Sequence, residues 1–269
     1  MPILDLIVSF VSHGIVEQYR KELQFDMALE LLPKSMLKAI DLLPDANTPV
    51  TLFTRHSIRE VVNGQGLSGY DLQLTSEGRD LAQAWGSYLI DHTDRIIQHC
   101  ISSPIQRCVD TAALMIQGAD AILPDNNTHH IEIVEKGLLV EPGSFVLDIK
   151  QAAPYFRKQG ALGFINSFVN NTLPGMKHPI TGVVDVLELI YETHPTGQNQ
   201  LSLAVSHDTI LAAIIAVISK RTQIKQSDWP EMMEGLFVWF EGDNFADCHL
   251  KWIWRGEKGD LSIREFQQP

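Results

Sequence analysis

The sequence has few cysteines, a deficit of basic residues and no long apolar run, and each shortage excludes a class of protein. Its three cysteines are an odd number without metal-ligand spacing, so we expect reduced thiols in a cytoplasmic protein. A formal net charge of -12 argues against nucleic acid as a partner, because phosphate backbones select basic surfaces. The apolar stretches are too short for a bilayer span, and the N-terminus lacks a basic leader, so we expect neither membrane insertion nor export.

What the sequence does contain is a regular alternation of strand and helix patterns between Val50 and Ser219. Short apolar, β-branched runs predict strands at residues 50–54, 95–102, 130–140 and 200–206. Amphipathic stretches between them predict helices. This alternation is typical of a mostly parallel sheet with helices on both faces. With 269 residues, of which 45% are hydrophobic, we predict one α/β domain over residues 1–269, with three layers in the order α/β/α.

The remaining segments carry different patterns. Residues 1–49 have apolar residues at helical spacing and predict a helical extension before the first strand. The glycine-rich stretch 63–70 predicts a loop, and residues 145–180 predict inserted helices that form a cap. Aromatic runs at 235–241 and 248–254, joined by a turn, predict a C-terminal β-hairpin. We expect that the extension or the hairpin could provide a homodimer contact.

Polar side chains follow several of the predicted strands. The carboxyl ends of parallel strands share one edge of a sheet, where open α/β folds bind ligands, so groups far apart in sequence can meet there. Arginine is suited to an anionic ligand because its planar fork binds phosphate oxygens bidentately. The groups concerned are Arg55, His56, Arg59, Arg107, Glu141, His207 and Asp208.

Four short motifs in this region occur in an order that is known from one family. They are Arg55-His56-Ser57 with Arg59, Leu74-Thr75-Ser76-Glu77-Gly78, the run from Ser102 to Arg107 followed by Thr111-Ala112, and His207-Asp208. In these motifs the chain resembles the histidine phosphatase superfamily, which includes phosphoglycerate mutase-like enzymes and histidine acid phosphatases. The resemblance covers about residues 50 to 210 and implies a phosphoglycerate mutase-like fold.

The resemblance also implies an activity, the hydrolysis of a small phosphate monoester through a phosphohistidine. His56 would be the nucleophile, which splits one difficult displacement into two easier ones. Arg55, Arg59 and Arg107 would bind the phosphate oxygens, and a protonated His207 would add a fourth cationic donor. The scheme requires neither a metal nor another cofactor, because the guanidinium groups neutralise the phosphate.

Two carboxylates are candidates for the proton donor to the leaving oxygen. Glu141 matches the branches of the family that take the acid from the loop after the middle strand, and Asp208 matches the branch with a His-Asp pair. We favour Glu141, because Asp208 could instead cap the helix that follows it. The sequence leaves both assignments open.

Ser57 departs from the family pattern, which has glycine at this position. Glycine permits backbone conformations and close approaches that serine resists, so the loop geometry after His56 could differ. Two alternatives to a phosphatase follow. One is a phosphomutase with the same fold, and the other is a pseudoenzyme that binds phosphorylated ligands without turnover.

Overall fold

A seven-stranded mixed sheet lies at the centre of the computed structural model, which describes residues 23–60, 69–123, 130–141 and 143–267. In chain order its strands are β1 (Val50–Arg55), β2 (Ile96–Ser102), β3 (Ile133–Glu135), β4 (Gln200–Ser206), β5 (Gly235–Glu241), β6 (His249–Trp254) and β7 (Glu257–Ser262). Across the sheet they are ordered β3-β2-β4-β1-β5-β6-β7.

The first four strands form the parallel half of the sheet. β1 and β2 both pair in parallel with β4, and β3 pairs in parallel with β2. All six residues of β1 are buried, because helices cover both faces of a parallel sheet. This double burial explains why β1 and β4 are mostly apolar or β-branched in sequence, and the parallel pairing confirms the predicted mostly parallel core.

The last three strands form an antiparallel meander, and β5 joins it to β1 by antiparallel pairing. The predicted hairpin is therefore one strand short, because β7 also belongs to the sheet. Its sequence, Glu-Lys-Gly-Asp-Leu-Ser, is mostly polar, and only Leu261 is buried. A charged strand at the edge of a sheet protects against pairing with other chains, but it lacks the apolar alternation that predicts a strand.

The helices are α1 (Lys34–Ile40), α2 (Ser76–Thr93), α3 (Gln106–Asp120), α4 (Ile149–Val169), α5 (Pro179–Glu192), α6 (Asp208–Ile218) and α7 (Ile263–Gln267), and residues 23–29 are also helical. The first three pack on one face of the sheet, around Trp85, and the last four pack on the other, around Phe168. The predicted α/β/α layering is confirmed. None of the helices in the described ranges is both long and apolar enough to cross a bilayer.

Helices α2 and α3 approach each other through two glycines. A Cβ on Gly86 would lie 1.9 Å from the carbonyl oxygen of Met115, and one on Gly118 would lie 1.9 Å from that of Gln83. Only glycine allows the two helix backbones to come this close. The contact fixes α3, whose first turn carries Arg107, against α2.

Three expectations need correction or completion. The strand predicted at residues 130–140 is limited to β3, because residues Gly137–Leu139 form a short 3₁₀ turn that buries Leu139. The predicted helical extension is observed in residues 23–29 and α1, and residues 1–22 lie outside the described chain. Of the predicted loop at 63–70, residues 63–68 also lie outside it. In α4, Gly160 interrupts the helix with φ of 67°.

Candidate functional site

The carboxyl ends of β1, β2 and β4 meet at one edge of the sheet and bring four cationic or titratable groups together. Arg55 is the last residue of β1, His56 and His207 follow β1 and β4, and Arg107 lies in the first turn of α3 after β2. Strand pairing continues past the strand ends, since the amide of His56 donates to the carbonyl of Ser206 at 3.0 Å. The four side chains are buried, with 9% or less of each residue exposed.

The ring of His56 is held in a single tautomer. Its Nδ1 lies 2.8 Å from the carbonyl oxygen of Ser57, which can only accept a hydrogen bond, so Nδ1 carries the proton. On the other side of the ring, Arg107 Nε donates to His56 Nε2 at 3.0 Å. Burial, followed by the charge of Arg55, lowers the pKa of His56 well below its ordinary value. The imidazole is therefore neutral, and its Nε2 lone pair faces a guanidinium group.

Arg107 connects the two histidines. Besides its bond to His56, it donates from Nη1 to the carbonyl of Gly69 at 3.1 Å, and its Nη2 lies 3.3 Å from His207 Nδ1. The two imidazole rings are 5.6 Å apart and inclined at 74°. The expected convergence of both histidines with Arg107 is thus present in the structure.

His207 is neutral in this site, in contrast to the protonated imidazole that we expected. Burial, followed by the charge of Arg107, lowers the pKa of His207 to about 3. Nδ1 accepts from the Arg107 guanidinium, which leaves the proton on Nε2 to bond Ser103 Oγ at 2.9 Å. The sequence motif places the ring correctly but does not reveal that burial, together with the Arg107 guanidinium, lowers its pKa.

Arg55 is held by partners from a distant segment. Its Nη1 donates to the carbonyl of Pro230 at 2.7 Å, and its Nη2 forms a 2.7 Å ion pair with Asp208 Oδ2. Trp229 Nε1 donates to the same oxygen of Asp208 at 3.2 Å. Sequence reasoning missed Trp229 and Pro230, because they lie in a loop before β5 that carries no motif.

Glu141 lies at the mouth of the cluster. Its Oε2 is 3.9 Å from His207 Nδ1, and its side chain is 14% exposed. Burial, followed by the negative charge of Asp208, raises the pKa of Glu141 to about 7. The hydroxyl of Tyr70 donates to the backbone carbonyl of Glu141 at 3.1 Å. A carboxyl with this pKa is partly protonated at neutral pH.

Arg59 lies within electrostatic range of the same groups. It is partly buried, and burial, followed by the charges of Arg107 and Arg55, lowers its pKa below the ordinary value. Its Nη1 donates to the carbonyl of Glu60 at 2.7 Å, and a β-bridge to Leu74 holds its backbone. All three predicted phosphate-binding arginines therefore surround one region.

Ser57 fits the site without backbone strain. Its φ lies outside the left-handed region, its amide donates to Thr111 Oγ1 at 3.0 Å, and its hydroxyl donates to the carbonyl of Gly78 at 2.7 Å. The glycine that this loop requires is Gly78, where a Cβ would lie 2.0 Å from the carbonyl oxygen of Ile58. Thr75 caps α2 by accepting from the amide of Gly78.

The described residues contain no cluster of three or more histidine, cysteine or acidic side chains that could bind a metal. Cys108 lies near the site, with its Sγ 3.7 Å from His207 Nε2. Burial raises the pKa of the Cys108 thiol to about 12, so it is protonated at neutral pH. The charge available to a ligand here comes from guanidinium groups.

Comparison with known proteins shows a family-model match over part of the chain and several solved structures with a similar fold. Residues 51–129 match the family model of the histidine phosphatase superfamily, branch 1. No sequence among the curated proteins compared matches the chain at the significance threshold. Among solved structures, mycobacterial hydrolase 2 is 15% identical and has a TM-score of 0.52, covering 82% of this chain and 95% of that chain.

Two further solved structures match the chain with similar coverage. A mycobacterial glucosyl-3-phosphoglycerate phosphatase is 15% identical with a TM-score of 0.51, covering 78% of this chain and 99% of its own. A phosphoglycerate mutase from Bacillus anthracis is 15% identical with a TM-score of 0.48, covering 83% of this chain and 99% of its own. Residues 51–129 thus resemble the histidine phosphatase superfamily in sequence, and the chain shares its fold with solved structures that include a phosphatase.

Proposed function

We propose that this protein hydrolyses the phosphate monoester of a small metabolite through a phosphohistidine on His56. The observation that carries the proposal is the state of the His56 ring, whose Nδ1 proton is committed to Ser57 O while Nε2 keeps its lone pair. A neutral imidazole nitrogen surrounded by guanidinium groups is suited to attack on a phosphoryl group.

The reaction has two displacement steps. In the first, His56 Nε2 forms a bond to phosphorus as the bond from phosphorus to the ester oxygen breaks. Glu141 donates its proton to the leaving oxygen, which departs as an alcohol. In the second step water attacks phosphorus, the Glu141 carboxylate accepts a proton from this water, and the bond between phosphorus and Nε2 breaks. Inorganic phosphate leaves, and both residues return to their starting states.

Arg55, Arg59 and Arg107 stabilise the oxygens of the transferred group. Phosphoryl transfer depends mainly on positioning and on neutralisation of charge, which guanidinium groups supply without a metal. Arg107 donates to His56 Nε2 before substrate binds, so the phosphoryl group must replace that hydrogen bond as it approaches. A dianionic substrate also raises the pKa of His207, because a nearby negative charge favours the protonated ring.

Glu141 is the better proton donor of the two carboxylates. Its pKa of about 7 keeps a substantial protonated fraction at neutral pH, as a general acid requires. Asp208 instead accepts hydrogen bonds from Arg55 and Trp229 on the same oxygen, so its carboxylate is already engaged by protein donors. We assign Asp208 two other tasks, to orient Arg55 and to raise the pKa of Glu141.

The pseudoenzyme alternative depended on Ser57, and the contacts of Ser57 supply no reason for lost activity. A phosphomutase shares the first displacement and differs in the acceptor of the phosphoryl group. Release of inorganic phosphate from an aryl phosphate, without any sugar-phosphate acceptor, supports the hydrolase. Transfer that occurs only when an acceptor is present supports the mutase, and binding of phosphate without labelling of His56 supports the pseudoenzyme.

The decisive test of the nucleophile is acid-labile phosphorylation of His56. Rapid quenching of the protein with a ³²P-labelled ester should trap a label that is stable in alkali and lost in acid. His56→Ala should abolish both the label and turnover, whereas the exposed His99→Ala serves as a matched control that retains both. Near-normal turnover in His56→Ala would refute the assignment.

The proton donor can be tested with leaving groups of different basicity. Glu141→Gln should slow cleavage of an alkyl phosphate by about 10²–10⁴-fold but slow p-nitrophenyl phosphate much less, because nitrophenolate leaves without a proton. Asp208→Asn should slow both esters alike and should lower the pH at which activity falls, because its charge no longer raises the pKa of Glu141. If Asp208→Asn shows the leaving-group dependence instead, the two roles are reversed.

A further inference from the structure

Arg255 lies at the turn between β6 and β7, outside every motif. Trp254 pairs with Glu257, so Arg255 and Gly256 form a two-residue turn, with φ of 49° and 83°. Turns with two positive φ values favour asparagine, aspartate and glycine, and an arginine is unfavourable in the first position. A non-glycine residue in this left-handed conformation carries backbone strain, which an interaction of its side chain can offset.

The Arg255 guanidinium binds a buried carboxylate and two backbone carbonyls. Nε and Nη2 donate to the two carboxylate oxygens of Glu234, each at 2.7 Å, in a bidentate pair. Nη2 also donates to the carbonyl of Trp229 at 3.0 Å, and Nη1 donates to that of Ser227 at 2.6 Å. These contacts hold residues 227–234, which we call the 227–234 loop, at three points.

Glu234 is itself almost completely buried, with 2% of the residue exposed. Burial alone would raise the pKa of Glu234, but hydrogen bonds, led by those of Arg255, outweigh it and lower the pKa. Ser35 Oγ and the amide of Glu231 donate to the same carboxylate at 2.8 and 3.0 Å. The loop is thus fixed to a buried charge that is stabilised mainly by its pairing with Arg255.

The other side of the 227–234 loop contacts the site. Pro230 O accepts from Arg55 Nη1 at 2.7 Å, and Trp229 Nε1 donates to Asp208 Oδ2, the oxygen that pairs with Arg55 Nη2. The amide of Arg55 donates to the carbonyl of Glu234 at 3.0 Å. Both ends of the Arg55 guanidinium therefore depend on residues that Arg255 fixes.

We propose that Arg255 is a positioning residue for Arg55, which it orients through the 227–234 loop without touching the substrate. The proposal rests on the phosphatase function proposed above, because it assumes that Arg55 binds the phosphoryl group. Displacement of a positioned group by about 1 Å can lower turnover by about 10²-fold. The turn between β6 and β7, in the antiparallel part of the sheet, thereby contributes to the site at the carboxyl ends of the parallel strands.

The test uses Arg255→Lys, which keeps the charge but loses the bidentate fork, together with Arg264→Lys as a control. Arg264 also pairs with an acidic residue, Asp247, but its side chain is 66% exposed. We expect Arg255→Lys to lower kcat/KM for p-nitrophenyl phosphate by roughly 10- to 100-fold and to weaken inhibition by inorganic phosphate. The control should stay within about twofold, as surface ion pairs contribute little.

A crystal structure of Arg255→Lys separates positioning from simple loss of stability. The Arg55 guanidinium should leave its contacts with Asp208 and Pro230 while the sheet is unchanged. If Arg55 keeps both contacts and kcat/KM is that of the wild type, the proposal is wrong. If wild-type protein shows no turnover, the proposed function fails, and the position of Arg55 still decides this inference. Should Arg255→Lys not fold, Glu234→Gln provides the same comparison.

Discussion

Glu141 is expected to make the folded protein less stable as the pH rises. Burial, followed by the charge of Asp208, raises its pKa from the ordinary value of 4.5 to about 7. At a pH well below 4.5 the carboxyl is protonated in both the folded and the unfolded state. Between pH 4.5 and about 7 the unfolded chain loses this proton and the folded protein retains it, so the free energy of unfolding decreases with pH.

The size of this effect follows from the two pKa values. At 1.36 kcal/mol per pKa unit, a rise from 4.5 to about 7 corresponds to a destabilisation of about 3 kcal/mol above pH 8. About 2–3 kcal/mol of it develops between pH 5 and pH 8. Glu141→Gln keeps the size of the side chain and removes its titration. The variant should therefore gain about 2–3 kcal/mol relative to the wild type between these two pH values, while it loses the proposed proton donor.

Urea denaturation of the wild type and Glu141→Gln at pH 5 and pH 8 measures this difference. Glu77→Gln is a matched control, because hydrogen bonds lower the pKa of this exposed carboxyl from 4.5, so its titration affects stability only below that pH. Relative to the wild type, the stability of the control should therefore change little from pH 5 to pH 8. If the stability difference between Glu141→Gln and the wild type is the same at both pH values, the pKa of Glu141 is not raised and the argument for its role as an acid is wrong.

Three further outcomes test the packing around the site. Ser57→Gly should cost about 1–2 kcal/mol in urea denaturation, because the hydrogen bond to Gly78 O is lost and the unfolded chain gains freedom, with turnover reduced only a few-fold. Gly118→Ala should cost about 1–3 kcal/mol, because its Cβ would meet Gln83 O at 1.9 Å, whereas Gly137→Ala meets nothing within 4 Å and should be near neutral. The three free cysteines are buried, so a thiol reagent at pH 8 should modify them only when the protein is unfolded.

The sequence reveals those parts of the fold that are buried on both sides. Strands β1 and β4 were predicted to within one residue, because an internal parallel strand is mostly apolar or β-branched and the charged or titratable groups follow directly after it. The start of α2 followed from Thr75, whose side chain accepts from the amide of Gly78. Once the sheet is parallel, the convergence of His56 and His207 at one edge is a consequence of topology.

The sequence does not reveal interactions that depend on a loop meeting a distant turn. Trp229 and Arg255 have no periodic pattern around them, and their roles become visible only when Asp208 and Glu234 are found beside them. The ionisation state of His207 is hidden for a similar reason. Its pKa depends on how deeply the ring is buried and on the guanidinium next to it, and neither can be read from the motif.

Arg107 explains how an acidic protein can keep a positive charge available for a phosphate ester. The chain carries a formal net charge of -12, yet Arg107 donates to three neutral acceptors, namely His56 Nε2, Gly69 O and His207 Nδ1. These acceptors satisfy its hydrogen bonds without neutralising its charge, and this charge adds to the effect of burial in lowering the pKa values of both imidazoles. A dianion that enters the site replaces weak neutral acceptors with charged oxygens, which form stronger hydrogen bonds to a guanidinium. The same exchange frees His56 Nε2 from its hydrogen bond to Arg107, so substrate binding itself exposes the proposed nucleophile.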